Sequence, residues 1–465
     1  MLGDKTGLRF LPRVSAALGA TFAVAACSSL VPTVSVERPL NVLVIVTDDQ
    51  RAGGTLEIME ETRQWFAEAG TRYPNAYATT PLCCPFRASL FTGRYAHNHG
   101  VRLNLDPTLL DQEQTIQHFA QEAGYQTAMV GKYLNRWPIE DPPPYFDRYA
   151  FFTPEVGARQ YTGALFNTDG QVGTIDEYST SYIADKALEY LDHFEGEADQ
   201  QPWLMFVAPF APHVPSTPEE AYVGTPVPRW KLNPGIHERS VMDKPDFYPP
   251  GRNVVLSQVA EFRELQLRTL MSVDDLVAEI ASALERLDEE SNTLAFFMSD
   301  GGYLWGEHGL SGKRLPYRES IRIPFFIKWP DTGRPPVDDR IVANIDVAPT
   351  IVDVLEMTGA EPMDGRSVLA SQERDRILIE FWANPNRPEI TWRSSVTPES
   401  QYIEYYAQAG SAATFAEYYD LERDPHQLVN PLGDAYPGND LPAVTVDAMS
   451  RRLAADFACA AGSCP

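Results

Sequence analysis

The sequence predicts an α/β fold: a large mixed, mostly parallel sheet sandwiched by helices, with a smaller C-terminal antiparallel-sheet subdomain. Three observations carry this expectation. Runs at 41–47, 127–131, 203–207 and 293–298 are apolar on consecutive positions rather than alternating, as strands buried on both faces are. Segments with helical apolar spacing fall between them, as parallel connections require. After about residue 375 the pattern changes to short strand-like runs separated by turn residues. The expected divisions are a leader and linker at 1–38, a main domain at 39–375 and an α+β subdomain at 376–465.

With 465 residues and 44% hydrophobic content, the chain can bury one large core and a smaller one. A formal charge of −26 leaves no basic excess to neutralise phosphates, which excludes nucleic acid as a partner. An anionic substrate must therefore meet a local cationic pocket. The 38 prolines point to long ordered loops over a regular scaffold.

The N-terminus reads as an export signal. Lys5, Arg9 and Arg13 precede an apolar run from Val14 to Ala26 that is short for a spanning helix. Val24-Ala25-Ala26-Cys27 resembles a bacterial lipobox, which would lipidate Cys27; the alternative is a cleaved secretory signal. The expected location is a bacterial cell-surface or periplasmic lipoprotein, or a secreted protein, touching membrane only through a lipid at Cys27.

Each buried strand delivers polar groups at its carboxyl end, the edge where open α/β sheets bind ligands. The run 41–47 ends in Asp48-Asp49-Gln50, 127–131 ends at Lys132, 203–207 ends near His213, and 293–298 ends at Asp300. Between the first two lies Cys83-Cys84-Pro85-Phe86-Arg87, opening a short helix with Pro85 suited to its first position and Gly93 to its exit. Unpaired N–H groups and the helix dipole favour negative charge there.

Helices are expected at 56–69, 115–123, 183–194 and 259–287. The stretches 138–178 and 212–252 lack periodicity and read as long loops lining a cleft. In the C-terminal part, strand-like runs at 376–382, 394–396, 401–406 and 417–421 precede a helix at about 442–458. Cys459 and Cys464 lie close enough in sequence to pair in an oxidising compartment, which leaves Cys83 and Cys84 without obvious partners.

Asp48, Asp49 and Asp300 come from two strand ends and suit a hard divalent cation, Ca²⁺ or Mg²⁺. Arg87, Lys132, His213, His308 and Lys313 gather cationic or titratable groups at the same edge. A metal within a ring of cations suits an oxyanion substrate, either sulfate or phosphate.

Cys83-x-Pro85-x-Arg87 followed by Leu90-Phe91-Thr92-Gly93-Arg94 resembles the sulfatase signature, in which the first cysteine is oxidised to Cα-formylglycine (3-oxoalanine). The resemblance extends through Thr47-Asp48-Asp49-Gln50, Gly131-Lys132-Tyr133, Ala211-Pro212-His213, Ser299-Asp300-Gly301-Gly302, Gly306-Glu307-His308-Gly309-Leu310 to Lys313, and Tyr419-Asp420-Leu421. Within the family, Cys83-Cys84 and Tyr95-Ala96-His97-Asn98-His99 are most similar to the N-acetylglucosamine-6-sulfatase and heparan endosulfatase branch.

This resemblance implies an alkaline-phosphatase-like fold and hydrolysis of sulfate esters, such as 6-O-sulfate on an amino sugar. It implies a metal held by Asp48, Asp49, Asp300 and the converted Cys83, and a maturation enzyme as partner. Arg87 would orient the hydrated aldehyde, Lys132 and Lys313 would hold sulfate, and either His213 or His308 would protonate the leaving oxygen. His97 and His99 read as structural.

Three positions depart from the family pattern. Gly301 stands where Asn or His commonly supplies a fourth metal ligand, so water or another residue must complete the shell. Phe86 replaces a usual Ser, and Leu134 stands where many arylsulfatases have His. The rival readings are a phosphodiester or phosphonate monoester hydrolase sharing the nucleophile, and a non-hydrolysing binder of sulfated glycan.

Overall fold

Alternation along the strand Asn41–Thr47 sets the layering. Successive side chains of a strand point to opposite faces, so Leu43 and Ile45 enter one buried cluster while Val42, Val44 and Val46 enter another. The first cluster is closed by the helices Ser179–Gly196 and Leu256–Arg286. The second is closed by Cys83–Thr92, Ile116–Glu122 and Val347–Val354. In this computed structural model the described residues are 38–465, apart from 155–159, 197–200, 239, 246–253, 331–332, 359, 361, 387–389 and 408–409. The expected leader, including Cys27, lies outside them. No helix among the described residues is long and apolar enough to cross a membrane.

Nine strands form the main sheet in the order Thr71–Arg72, Phe325–Lys328, Thr293–Ser299, Asn41–Thr47, Trp203–Ala208, Gln126–Lys132, Arg148–Phe152, Leu165–Thr168 and Gln171–Thr174. The five strands from Thr293–Ser299 to Arg148–Phe152 are parallel neighbours. The flanking strands join antiparallel, so the sheet is mixed and mostly parallel, as the sequence predicts. Thr47 pairs with Ser299 and Gly131 with Ala208, which brings the ends carrying Asp48, Asp300 and Lys132 to one edge.

A four-strand antiparallel sheet, Ile377–Phe381, Thr391–Val396, Ser400–Tyr406 and Ala413–Asp420, carries the C-terminal helix Ala443–Phe457. Its core is continuous with Tyr95, Leu304 and Tyr317 from earlier in the chain, and Pro39–Pro465 packs as one compact unit. Cys459 and Cys464 are joined in a disulfide, and Cys83 and Cys84 are free and buried.

Three local expectations are corrected. The stretch 138–178 is not all loop, because it supplies three sheet strands, of five, four and four residues. Runs that short, the last exposed throughout, carry little hydrophobic pattern. The helix expected at 56–69 breaks into a 3-10 turn at Leu56–Ile58, a single α turn at Glu60–Thr62 and a π turn at Arg63–Glu68. Its start is fixed from outside: Asp274 accepts hydrogen bonds from the Glu61 and Thr62 amides and the Thr62 hydroxyl. Pro85 is the third residue of its helix rather than the first, still among the positions whose N–H has no helical partner. Gly93 closes that helix at φ 65°, a left-handed conformation glycine adopts without strain.

Candidate active site

The turn after Asn41–Thr47 is locked by short-range bonds. Thr47 Oγ1 donates to Gln50 Oε1 (2.8 Å), and the Gln50 amide donates to Ser299 Oγ (2.8 Å). The Asp48 amide donates to the Ala211 carbonyl (3.1 Å), the Asp300 amide to the Thr47 carbonyl (2.9 Å) and the Asp49 amide to Asp300 Oδ1 (3.3 Å). These bonds tie three adjacent strand ends together and hold Asp48, Asp49 and Asp300 almost wholly buried.

Three buried cations face them. Arg87 reaches inward from the first turn of Cys83–Thr92 and donates Nε (3.0 Å) and Nη2 (2.8 Å) to Asp300 Oδ2, while Nη1 donates to the Lys132 carbonyl (2.8 Å). Lys132 Nζ contacts Asp48 Oδ2 and lies 3.4 Å from Asp300 Oδ2. Lys313, which follows the hairpin Leu304–Trp305/Ser311–Gly312, contacts Asp49 Oδ1 and lies 2.8 Å from Cys83 Sγ. The Cys83 thiol in turn points to Asp48 Oδ1 at 3.6 Å.

Burial and the neighbouring Asp300 carboxylate hold Asp48 above its ordinary pKa despite Lys132. Burial alone would raise Asp300 too, but Lys132 and Arg87 hold it well below the usual carboxylate range. Burial works against the charges of Arg87, Lys132 and Lys313, yet the surrounding carboxylates raise all three. Burial and the Asp300 charge push the Cys83 thiol up to about 11.

One ligand atom each from Asp48, Asp49, Cys83 and Asp300 lies within 4.8 Å of the other three, and Asp48, Cys83 and His213 form a second, overlapping group. Asp49 Oδ2 is buried without a hydrogen-bond partner. An orphaned oxygen of Asp49 beside the convergent carboxylates of Asp48 and Asp300 fits a hard divalent cation. Gly301 offers no side chain, and a Cβ built there meets nothing within 4 Å, so this side of the cluster has room for water.

The two candidate histidines are placed differently. His213 Nδ1 is 2.6 Å from the Val214 carbonyl, and Nε2 is 3.7 Å from Asp49 Oδ2. With Nδ1–H donated to that carbonyl, Nε2 is the nitrogen left facing the cluster. His308 instead meets Glu238 Oε2 through Nδ1 (2.7 Å) and packs against Tyr317 with ring centroids 4.5 Å apart. His97 bridges Glu380 and the Cys459 carbonyl, and His99 meets Ser89. Leu134 and Phe86 are buried in the apolar cluster of the second face.

Sequence reasoning passed over Tyr161, whose hydroxyl donates to the His213 carbonyl (2.6 Å), and Asn104, whose Oδ1 accepts from the Cys84 amide (2.8 Å). Tyr161 lies in an aperiodic stretch and Asn104 carries no motif, so the sequence held no signal for either.

The profile of the family described as Sulfatase matches residues 40–357, and that described as N-sulphoglucosamine sulphohydrolase, C-terminal, matches 306–445. A putative extracellular sulfatase Sulf-1 homolog of Caenorhabditis elegans is 30% identical over 390 residues, covering 76% of this chain and 54% of that protein. The chain thus spans about half the length of that relative. Human N-acetylglucosamine-6-sulfatase is 28% identical over 486 residues, covering 91% of this chain and 86% of its own. The solved structure of BT4656 in complex with its substrate D-glucosamine-2-N,6-O-disulfate superposes with a TM-score of 0.72 at 22% identity, covering 90% of this chain and 97% of that one. The overlap shows a shared fold. With the Sulfatase profile spanning about two thirds of the sequence, and the signature helix, carboxylates and lysines gathered at one sheet edge, the chain belongs to the sulfatase family.

Proposed function

We propose that this protein hydrolyses sulfate esters of amino sugars or related glycans, 6-O-sulfate first among them, with a formylglycine made from Cys83 and a divalent cation, Ca²⁺ or Mg²⁺. The observation that carries this is the buried set of Asp48, Asp49 and Asp300 against Arg87, Lys132 and Lys313, closed around Cys83 with Asp49 Oδ2 left without a hydrogen bond. The names of its relatives support the sulfate ester and the amino sugar.

Asp48, Asp49, Asp300 and the converted Cys83 would hold a divalent cation, which would supply Lewis-acid stabilisation of charge developing on sulfate oxygens. A hydrated aldehyde at position 83 offers one hydroxyl to attack sulfur and a second whose deprotonation expels sulfate and restores the aldehyde. Lys313, at 2.8 Å from Cys83 Sγ, is placed to orient that nucleophile and hold a sulfate oxygen. Lys132 balances Asp48 and Asp300, and Arg87 fixes the Asp300 carboxylate that faces the cation. His213 is the better proton donor to the leaving sugar oxygen, because its side chain is 23% exposed whereas that of His308 is fully buried. Tyr161 and the Val214 carbonyl hold its backbone and its Nδ1.

Under this reading residues 39–375 form the catalytic domain and 376–465 a C-terminal subdomain that buttresses it. The protein acts after export, with a maturation enzyme as its first partner. The test is mass analysis of the tryptic peptide ending at Arg87, isolated from the native host. Conversion of –CH2SH to –CHO removes one sulfur and two hydrogens and adds one oxygen. An unconverted peptide, or converted protein that releases the alcohol from phosphonate monoesters faster than sulfate from N-acetylglucosamine 6-sulfate, overturns the assignment.

A further inference from the structure

Beside the carboxylate cluster, a second group of polar side chains lines an open cavity of about 340 Å³, a size that admits a small ligand. Its wall includes Arg51, Asn233, Arg318, Glu319, Arg322 and His426. Four of these carry a buried polar atom without a hydrogen-bond partner: Arg51 Nε, Asn233 Oδ1, Arg322 Nε and His426 Nδ1. Roughly nine in ten such groups are paired in folded proteins, so an under-satisfied wall points to a polar ligand, met by the exposed ends of these side chains because the four orphaned atoms themselves are out of reach of solvent.

The charges point the same way. Arg318 donates Nη1 to the Pro425 carbonyl (3.1 Å) and Arg322 donates Nη2 to the Pro74 carbonyl. Both guanidiniums are therefore held by neutral groups, with no ion pair to a carboxylate among the described residues. Burial and the nearby Arg318 charge hold Arg322 below its ordinary pKa, an effect that Glu319 and Tyr77 offset only in part. Arg51 is paired with Glu307 (3.0 Å), and Glu307 also accepts from Asn233 (2.8 Å), which fixes both side chains on the wall. Glu319 is the one carboxylate among the described residues that line the cavity, and with Arg51 already paired to Glu307 it stands against the two guanidiniums of Arg318 and Arg322.

The cavity adjoins the reaction centre through the chain itself. Arg51 follows Asp49 by two residues, a span of at most about 7 Å. Its Nη1 also reaches the Tyr303 carbonyl (3.4 Å), at the base of the hairpin that leads to Lys313.

We propose that this cavity is a second anion subsite, which takes a sulfate or carboxylate group on a sugar neighbouring the one whose ester is cut. The subsite rests on the sulfatase reading above. Guanidinium and imidazole N–H groups supply donors for the oxyanion. In a chain of net charge −26, which repels an anionic glycan at long range, a second local cationic site supplies attraction where the polymer must dock.

Binding is measured by calorimetry at about 0.15 M salt on Cys83→Ala protein, which cannot turn over, so the result does not depend on hydrolysis. The probes are a heparin-derived tetrasaccharide, its carboxyl-reduced and desulfated forms, and N-acetylglucosamine 6-sulfate. Arg318→Gln and His426→Ala are each expected to weaken tetrasaccharide binding about tenfold, equivalent to about 1.4 kcal/mol, and to change monosaccharide binding less than about twofold. Arg318→Lys keeps the charge and should recover part of the loss. The carboxyl-reduced and desulfated probes show which oxyanion is held, by which of them loses the variant effect. Unchanged tetrasaccharide affinity in variants that melt with the parent overturns the subsite, as does an equal loss for both saccharides. Failure of the parental enzyme to release sulfate from the monosaccharide overturns the catalytic reading instead.

Discussion

Replacing Arg87 with Gln tests the central electrostatic argument. Arg87 is 1% exposed and donates twice to one oxygen of Asp300. A glutamine is too short to reach it and carries no charge, so Asp300 keeps Lys132, at 3.4 Å, as its remaining cation. Removing one partner of a buried ion pair costs about 3–5 kcal/mol, because the other charge stays buried. Unfolding entropy of about 2.1 cal/mol/K per residue, over the roughly 430 residues of Pro39–Pro465, gives about 0.9 kcal/mol per degree. The Tm of Arg87→Gln should therefore fall by about 3–5 °C in chelator, measured by scanning calorimetry. In saturating Ca²⁺ the gap should shrink by about half or more, since a bound cation brings two positive charges to the same carboxylates. Arg87→Lys should recover only part of the loss, because an ammonium lacks the planar fork. An unchanged Tm in chelator, or an equal fall with and without Ca²⁺, would refute the reasoning.

Three further outcomes are expected. His213→Gln should lower kcat on a sugar sulfate by about 10²–10⁴ but much less on an aryl sulfate, whose leaving group needs no proton; equal losses on both would remove His213 as the acid. Lys313→Met should lower kcat by about 10²–10³ and, because it leaves buried Asp49 without its contacting lysine, should also lower Tm in chelator as Arg87→Gln does; a loss confined to KM would reassign it to ground-state binding. His99 supplies a pH test of stability. The Val101 amide donates to its Nδ1 (3.1 Å), so Nε2 carries the proton and donates to Ser89 (2.9 Å). Burial, then the His97 charge, hold its pKa down to about 3. The unfolded chain, with a histidine near 6.5, binds more protons between those values, so stability is complete above about pH 6.5 and falls by about 1.4 kcal/mol per unit below it. His99→Gln should flatten the acid limb of Tm against pH, and a limb of unchanged slope would show that His99 does not cause it.

Much of the fold was legible because its strands are buried on both faces. A run such as residues 42–46 is apolar throughout, so the Asp48-Asp49 pair just beyond it stands out from composition alone. The same logic located Lys132 and Asp300. The antiparallel strands at 165–168 and 171–174 were not legible, since four-residue runs at a solvated flank carry too few buried positions to show a period. Nor was the break at 56–69, where the helix start is set by Asp274, some 210 residues away.

The histidines divide along the same line. Sequence spacing placed both His213 and His308 near a cationic edge, but spacing cannot show which carboxylate each one meets. Packing puts His213 against Asp49 and His308 against Glu238. The four orphaned atoms around Arg51 and Arg322 come from four separate stretches of chain with no motif in common.

The sequence by itself determined the layered α/β architecture, the carboxylates at strand ends and the helix that presents Cys83, because each follows from local periodicity and strand burial. Only the tertiary structure decided which charges neutralise one another, which histidine faces the cluster and where unpaired donors collect. Those properties depend on distances between residues far apart in the chain, and such distances are fixed by sheet register and packing rather than by sequence spacing.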